Sequence, residues 1–262
     1  MSTHHHIPFH FHAGGHAISG IFERPIPHVI EAKASVTLPT IGGVAQARVE
    51  NFRAHHFLSF KSAHTHVSGS RQDENIITIN ATSVIEGLDI LGVVTAERIV
   101  SRVTSEYDGR KDNPKGTNIN GNNKEGHIVA VGSEFHNLRI AGHRVEITLR
   151  HNLLLECKTF SDLHDKLVAG KGPEKEEEDV YGEVALCSLV EKIEPAEFPG
   201  VEKEGRHTLK IKHFGTVSFA EVLATGGERT LTMMRLHLGS PDGAFMTVAE
   251  TCTNGRPWPP PP

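Results

Sequence analysis

Two pairs of histidines stand at a spacing that suits metal chelation: His10 and His12 in "IPFHFH", and His64 and His66 in "SAHTH". In an extended chain, side chains two apart point the same way. Two imidazoles on one strand face can therefore grip one divalent transition ion, with zinc or copper the fitting choices for nitrogen ligands. A site needs three or four ligands, so the expected set is His10, His12, His64 and His66, with His16, His28, His55, His56 or the carboxylate of Glu23 as further donors. A plainer use competes. In "HHHIPFHFHAGGH", His4 to His16, the rings of Phe9 and Phe11 alternate with His10 and His12. That is the pattern of an amphipathic strand with its aromatic side buried and its imidazoles facing water.

Other chemistry finds less support. There is no GxSxG nucleophile elbow and no GxGxxG or GxxxxGK[ST] phosphate loop. Cys157, Cys187 and Cys252 are odd in number, widely spaced and set among apolar residues. They form neither a disulfide framework nor a CxxC knuckle, and inert core thiols are their default role. Glu106 and Asp108 flank a polar loop as surface acids. Arg139, Arg144, Arg150 and Arg235 are spread among strand-like runs, with Glu134, Glu146 and Glu221 as structural partners. The formal net charge of −5 leaves no basic footprint for nucleic acid. No apolar run approaches the ~18 residues of a membrane span. No charged-then-apolar leader opens the chain, so a cytoplasmic location is expected as written, and an exported or surface-associated one if a leader has been removed.

The elements that must position these residues are mostly strands. Charged residues make up 23% of the 262, and hydrophobic ones 37%, a composition that can build one substantial core. "EAKASVTLP", "VAQARVENF", "NIITINATSVIEGLDI" and "VVTAERIVSRVTSEY" are alternating or β-branched runs. In the last, Val93, Ile99 and Val103 share one phase and Val94, Ala96 and Val100 the other. That reads as a strand covered on both faces, or as a helix around 94–104. Asp108 to Gly126 is a long polar loop. "TFSDLHDKLVAG" places Phe160, Leu163 and Leu167 on one helical face, capped by Thr159 or Ser161 and stopped by Gly170. The last third is a meander through "HTLKIKHFGTVSFAEVL", "RTLTMMRLHLG" and "AFMTVAETC". Its second strand sets Leu231 and Met233 opposite Thr232 and Met234, and "SPDG" turns it into the third. The expected fold is all-β: a β-sandwich or barrel-like single domain with one short helix near 160–168. Residues 1–16 form a His-rich arm, 17–255 the β domain with a charged linker at 170–180, and 256–262 a proline-rich tail around Trp258.

The order of "GHAISGIFE", "SAHTHVSGS", "GLDILGVVTAERIVSRV", "GSEFHNLRIAG" and the final meander from "HFGTVSFAEVLATGGE" onward resembles the bacterial β domains called choice-of-anchor P proteins, over roughly residues 16–255. The resemblance implies a surface-associated β domain and carries no catalytic residue across. The chain departs from the family in lacking an export signal and an anchor, and in its 19 histidines. Together these readings favour a non-catalytic β-structural or binding protein that forms a homo-oligomer through extended termini. The alternative is a metal-dependent, His-ligated β-barrel enzyme, or a barrel that holds an unidentified small molecule among residues such as Met233, Met234 and Met246.

Overall fold

Four long runs, the last two rich in β-branched residues, form the longest strands of the N-terminal half. In the computed structural model, which describes residues 9–24, 27–72, 76–108, 126–169, 179–239 and 243–254, they follow three shorter strands. These are β1 (Ala13–Phe22), β2 (His28–Lys33) and β3 (Val36–Thr37), and the long meander is β4 (Gly43–Ala54), β5 (Leu58–Arg71), β6 (Ile76–Ile90) and β7 (Val94–Asp108). Residues 94–104 are therefore strand throughout. Then come β8 (His127–Val129), β9 (Glu134–His136), β10 (Arg139–Ile140), β11 (His143–Arg144) and β12 (Glu146–Leu149). Two helices follow, α1 (Asn152–Glu156) and α2 (Phe160–Ala169). The rest is strand: β13 (Asp179–Tyr181), β14 (Val184–Ser188), β15 (Val190–Glu194), β16 (Val201–Glu204), β17 (Thr208–Ile211), β18 (Gly215–Thr225), β19 (Glu228–Leu238) and β20 (Ala244–Asn254). His4–His6, nearly all of the polar loop and charged linker, most of the "SPDG" turn and the proline-rich tail lie outside the described residues.

Helix α2 is the expected one. It buries Leu163 and Leu167, and Thr159 and Asp162 cap it reciprocally: Thr159 N–H donates to Asp162 Oδ2 at 2.9 Å, and Asp162 N–H to Thr159 Oγ1 at 3.1 Å. Helix α1 was not expected. Five residues are too few to show a helical period. Among the described residues, no helix is long and apolar enough to cross a membrane.

The strands assemble into two large antiparallel sheets. One has ten strands along the path β13-β14-β18-β19-β20-β1-β2, with β3 on β1 and the β16–β17 hairpin on β18. The other has eight, in the order β11-β10-β7-β6-β5-β4, with β8 and β9 also on β7. Strands β12 and β15 pair separately. Neither large sheet closes on itself, so the barrel alternative gives way to a sandwich. Strand β1 lies against β20 from Ala13↔Thr253 to Phe22↔Ala244, so the two ends of the described chain meet in one sheet.

Each sheet carries a transverse row at which side-chain alternation slips by one residue in four adjacent strands. In the ten-stranded sheet the row is Ala17, Ala249, Met233 and Ala220, and Ala249 and Ala220 have positive φ of 50° and 49°. In the other it is Asn51, Lys61, Gly87 and Glu97, with positive φ at Asn51 and Gly87. Below the second row Val94 and Ala96 face inward. Above it Ile99 and Val103 do. The apparent two-faced pattern of β7 is this slip. The same slip buries both Met233 and Met234, which a strict alternation had set on opposite faces.

Between the sheets runs a seam of buried hydroxyls. Ser101 Oγ lies 2.7 Å from Thr251 Oγ1, and Ser105 Oγ donates to Asn254 O at 2.7 Å. Ser83 Oγ donates to His16 O at 2.9 Å and lies 3.1 Å from Thr65 Oγ1. These small side chains let the sheets approach closely. A Cβ on Gly15 would meet Glu250 O at 2.6 Å and Thr65 Cγ2 at 3.2 Å. Each hydroxyl is satisfied, as burial in low dielectric demands. The seam divides the core in two. The larger part centres on Ile18, Phe22, Ile85, Phe219 and Met234, and the smaller on Phe9, Phe11, Leu38, Val67, Ile77, Ile79 and Tyr107.

Candidate functional site

The arm residues Phe9 to His12 are not a strand. They are clamped to the sandwich by Thr40 and Asn254. Phe11 N–H donates to Thr40 O at 3.0 Å, Asn254 N–H to His12 O at 2.9 Å, His12 N–H to Asn254 Oδ1 at 3.0 Å, and Asn254 Nδ2 to His10 O at 3.1 Å. Phe9 and Phe11 are buried, with ring centroids 5.1 Å apart edge-to-face, and Phe9 also lies 5.7 Å from the Tyr107 ring. His10 and His12 are exposed. The described part of the arm is thus spent on its own sandwich rather than reaching along a neighbour.

The two histidine pairs are not brought together. His12 stands over the outer face of the ten-stranded sheet, where its Nε2 lies 3.8 Å from Glu228 Oε1. His64 and His66 project from the outer face of the other sheet, opposite Arg48 and Gln46 of β4. They line a shallow depression of about 430 Å³ with Gln46, Ala47, Arg48 and Thr65. Burial pushes the His64 pKa below its ordinary value, Glu86 opposes this, and Arg48, Arg98 and His66 reinforce it. A sandwich keeps its two outer faces apart, so the four-histidine site read from i, i+2 spacing does not form.

The richest polar cluster lies on the outer face of the ten-stranded sheet, where the slipped row draws its two neighbours together. On one side stand Glu221, Thr232, Glu250 and His16, on the other Ser218, Arg235, Thr247 and Ser19. His16 Nε2 is 2.9 Å from Ser19 Oγ and 3.0 Å from Thr247 Oγ1, and its Nδ1 is 3.8 Å from Glu250 Oε1. Thr232 donates to Glu250 at 2.9 Å, Arg235 Nε lies 2.9 Å from Glu221 Oε2, and His207 Nε2 lies 3.4 Å from Glu221 Oε1. Arg235 and Glu221 are the partners expected, as are Arg144 and Glu146 at 3.0 Å. The order hydroxyl, imidazole, carboxylate is that of a nucleophilic triad. Here, however, one ring nitrogen is shared by two hydroxyls, and the carboxylate stands beyond hydrogen-bond reach of the other. The groups pair with one another across neighbouring strands, which is a structural use.

The feature that offers open valences is an edge. Both sheets end on the same side of the sandwich, one at β2 and the other at β4. A cleft of about 600 Å³ separates them, lined by His28, Ile30, Lys33, Phe52, Arg53 and His55 among others. Lys33 Nζ stands 5.1 Å over the Phe52 ring. Strand β4 is twelve residues long and, among the described residues, pairs only with β5. Its inward side chains Ala45, Ala47 and Val49 are only half covered, and Val44 remains 65% exposed. Gln46, Arg48 and Glu50 alternate along its outer face, with Arg48 and Glu50 2.6 Å apart. The sequence contained this signal as the alternating polar series in "VAQARVENF". Nothing local said that the strand would lie at an edge.

No curated protein and no solved structure matches the chain. A family model described as "Domain of unknown function (DUF8256)" matches residues 9–169, from the clamped arm through β1–β12 to the end of α2. That span includes the whole eight-stranded sheet and the β2–β4 edge, and covers more than half of the chain, which therefore belongs to the DUF8256 family.

Proposed function

We propose that the protein is a non-catalytic β-structural module that self-associates by pairing β4 of one copy with β4 of another. The observation that carries this reading is the length and chemistry of the open edge. A twelve-residue strand with one side unpaired among the described residues presents a row of backbone donors and acceptors, a template for another strand. A two-fold axis through Val49 sets Arg48 of each copy opposite Glu50 of the other. Such an isologous contact is self-complementary in charge and joins two eight-stranded sheets into one. The half-covered Ala45, Ala47 and Val49 would gain cover from the approaching copy.

Sedimentation velocity over a range of concentrations tests the proposal. The wild type is expected to dimerise reversibly. Glu50→Arg, which sets like charges face to face, should leave it monomeric, and Arg48→Glu combined with Glu50→Arg should restore the dimer. A wild type that stays monomeric at several hundred micromolar, or a dimer indifferent to both variants, would falsify the β4 pairing.

A further inference from the structure

Cys252 departs from the role its sequence context gave it. On β20 the inward positions around it are Thr251 and Thr253, whose hydroxyls meet Ser101 and Ser105 in the seam. Cys252 therefore points outward, half-buried, on the face where the arm is clamped. The cross-strand pairs Gly14↔Cys252, Thr230↔Cys252 and Glu228↔Asn254 bring the first strand, the start of β19 and the end of β20 to one corner. Asn254 then fixes His12 there through both its backbone and its side chain. The result is three potential ligand atoms on three different segments, an imidazole nitrogen of His12, a carboxylate oxygen of Glu228 and Cys252 Sγ, all within 4.8 Å of one another.

We infer that His12, Glu228 and Cys252 form a zinc site that ties the N-terminal arm to the β19–β20 hairpin. A tetrahedral zinc ion with ligands at about 2.0–2.3 Å holds them about 3.3–3.7 Å apart. The His12–Glu228 separation of 3.8 Å is slightly longer than this, and small rotations of the exposed His12 and Glu228 close that gap and bring in the sulfur. The donor set of imidazole, carboxylate and thiolate selects zinc over calcium or magnesium, which prefer oxygen alone. On binding, the S–H bond of Cys252 breaks, its proton leaves to solvent and the thiolate takes the metal. Zinc enters with its water, one molecule of which keeps the fourth position. Gly14 leaves room beside the thiol, since a Cβ there would stand 3.6 Å from the sulfur. This site is independent of the β4 edge.

Cobalt(II) titration of the full chain carrying no added affinity tag tests the inference, because a thiolate ligand gives cobalt a near-ultraviolet charge-transfer band that histidine-only binding does not. One equivalent of cobalt is expected to produce the band, and zinc to abolish it. Cys252→Ser and His12→Ala should each remove or greatly weaken the band with circular dichroism unchanged, whereas His64→Ala plus His66→Ala should leave it intact. Zinc should also shield Cys252 from alkylation at pH 7.5. No thiolate band in the wild type, or a band that survives Cys252→Ser, overturns the assignment. If Cys252→Ser loses its fold, alkylation of the wild type decides alone: unprotected Cys252 in excess zinc refutes the site.

Discussion

Phe11→Ala should cost about 2–3 kcal/mol of stability. The ring is 6% exposed and sits in the smaller core, edge-to-face with Phe9 and against the backbone of Gly42 and Gly69. Burying a phenylalanine side chain is worth about 1.5–3 kcal/mol, and an edge-to-face partner adds about 0.5–1.5 kcal/mol. Truncation inside a closed core would add a cavity penalty and reach about 3–5 kcal/mol. Here residues 9–12 are no part of a strand and can lift away as a unit, so the loss is capped at the free energy of docking them. For the same reason Phe9→Ala plus Phe11→Ala should cost less than the sum of the single changes, because the first releases what the second would have weakened. His10→Ala plus His12→Ala, at exposed positions in metal-free buffer, should stay within about 0.5 kcal/mol of the wild type. Urea unfolding gives the energies. Hydrogen exchange then locates them, with protection falling first in residues 67–71 and 77–81, which the arm covers. A cost for Phe11→Ala below about 0.5 kcal/mol, or exchange unchanged in both segments, would show that the arm is not docked through its phenylalanines.

Two further outcomes follow from the buried polar groups. Ser101→Val strips the partner from Thr251 Oγ1 and Leu231 O between the sheets, and should cost about 1–3 kcal/mol by chemical denaturation, with Ser101→Val plus Thr251→Val costing less than the two single changes added together; strict additivity would refute direct coupling across the seam. Burial pushes the His16 pKa below its ordinary value, and Glu250 opposes this only in part. The unfolded chain then takes up the proton more readily than the native one. Stability tied to the neutral ring is complete above about pH 6.5 and falls as pH drops through that value toward the lower native pKa. The stability difference between the wild type and His16→Gln should narrow from pH 7.5 to 5.5, and a difference that widens on acidification would reverse the assigned sign.

Much of the fold is legible in the chain because strand and helix periods are local. The alternating run of β4, the β-branched runs of β6 and β7, the meander of β18–β20 and the Phe160–Leu163–Leu167 stripe of α2 all follow from residue spacing within one segment. The burial of Phe9 and Phe11 follows too, from alternation with histidine. What spacing alone could not supply is anything that depends on a second strand. The slips at Ala17, Ala249, Met233 and Ala220, and at Asn51, Lys61, Gly87 and Glu97, are aligned across four strands each. In any single strand they look like a broken or two-faced pattern, as they did at Val94–Val103 and at Met233–Met234. The pairing of histidines failed for the same reason. The i, i+2 rule places two imidazoles on one face, but which face, and of which sheet, is decided by the packing of β1 on β20 and of β4 on β5. So His12 finds Glu228 and Cys252, more than 200 residues away, and not His64. The open edge at β4 is likewise a property of sheet order, because an unpaired backbone is defined only by the neighbour that tertiary structure does not provide.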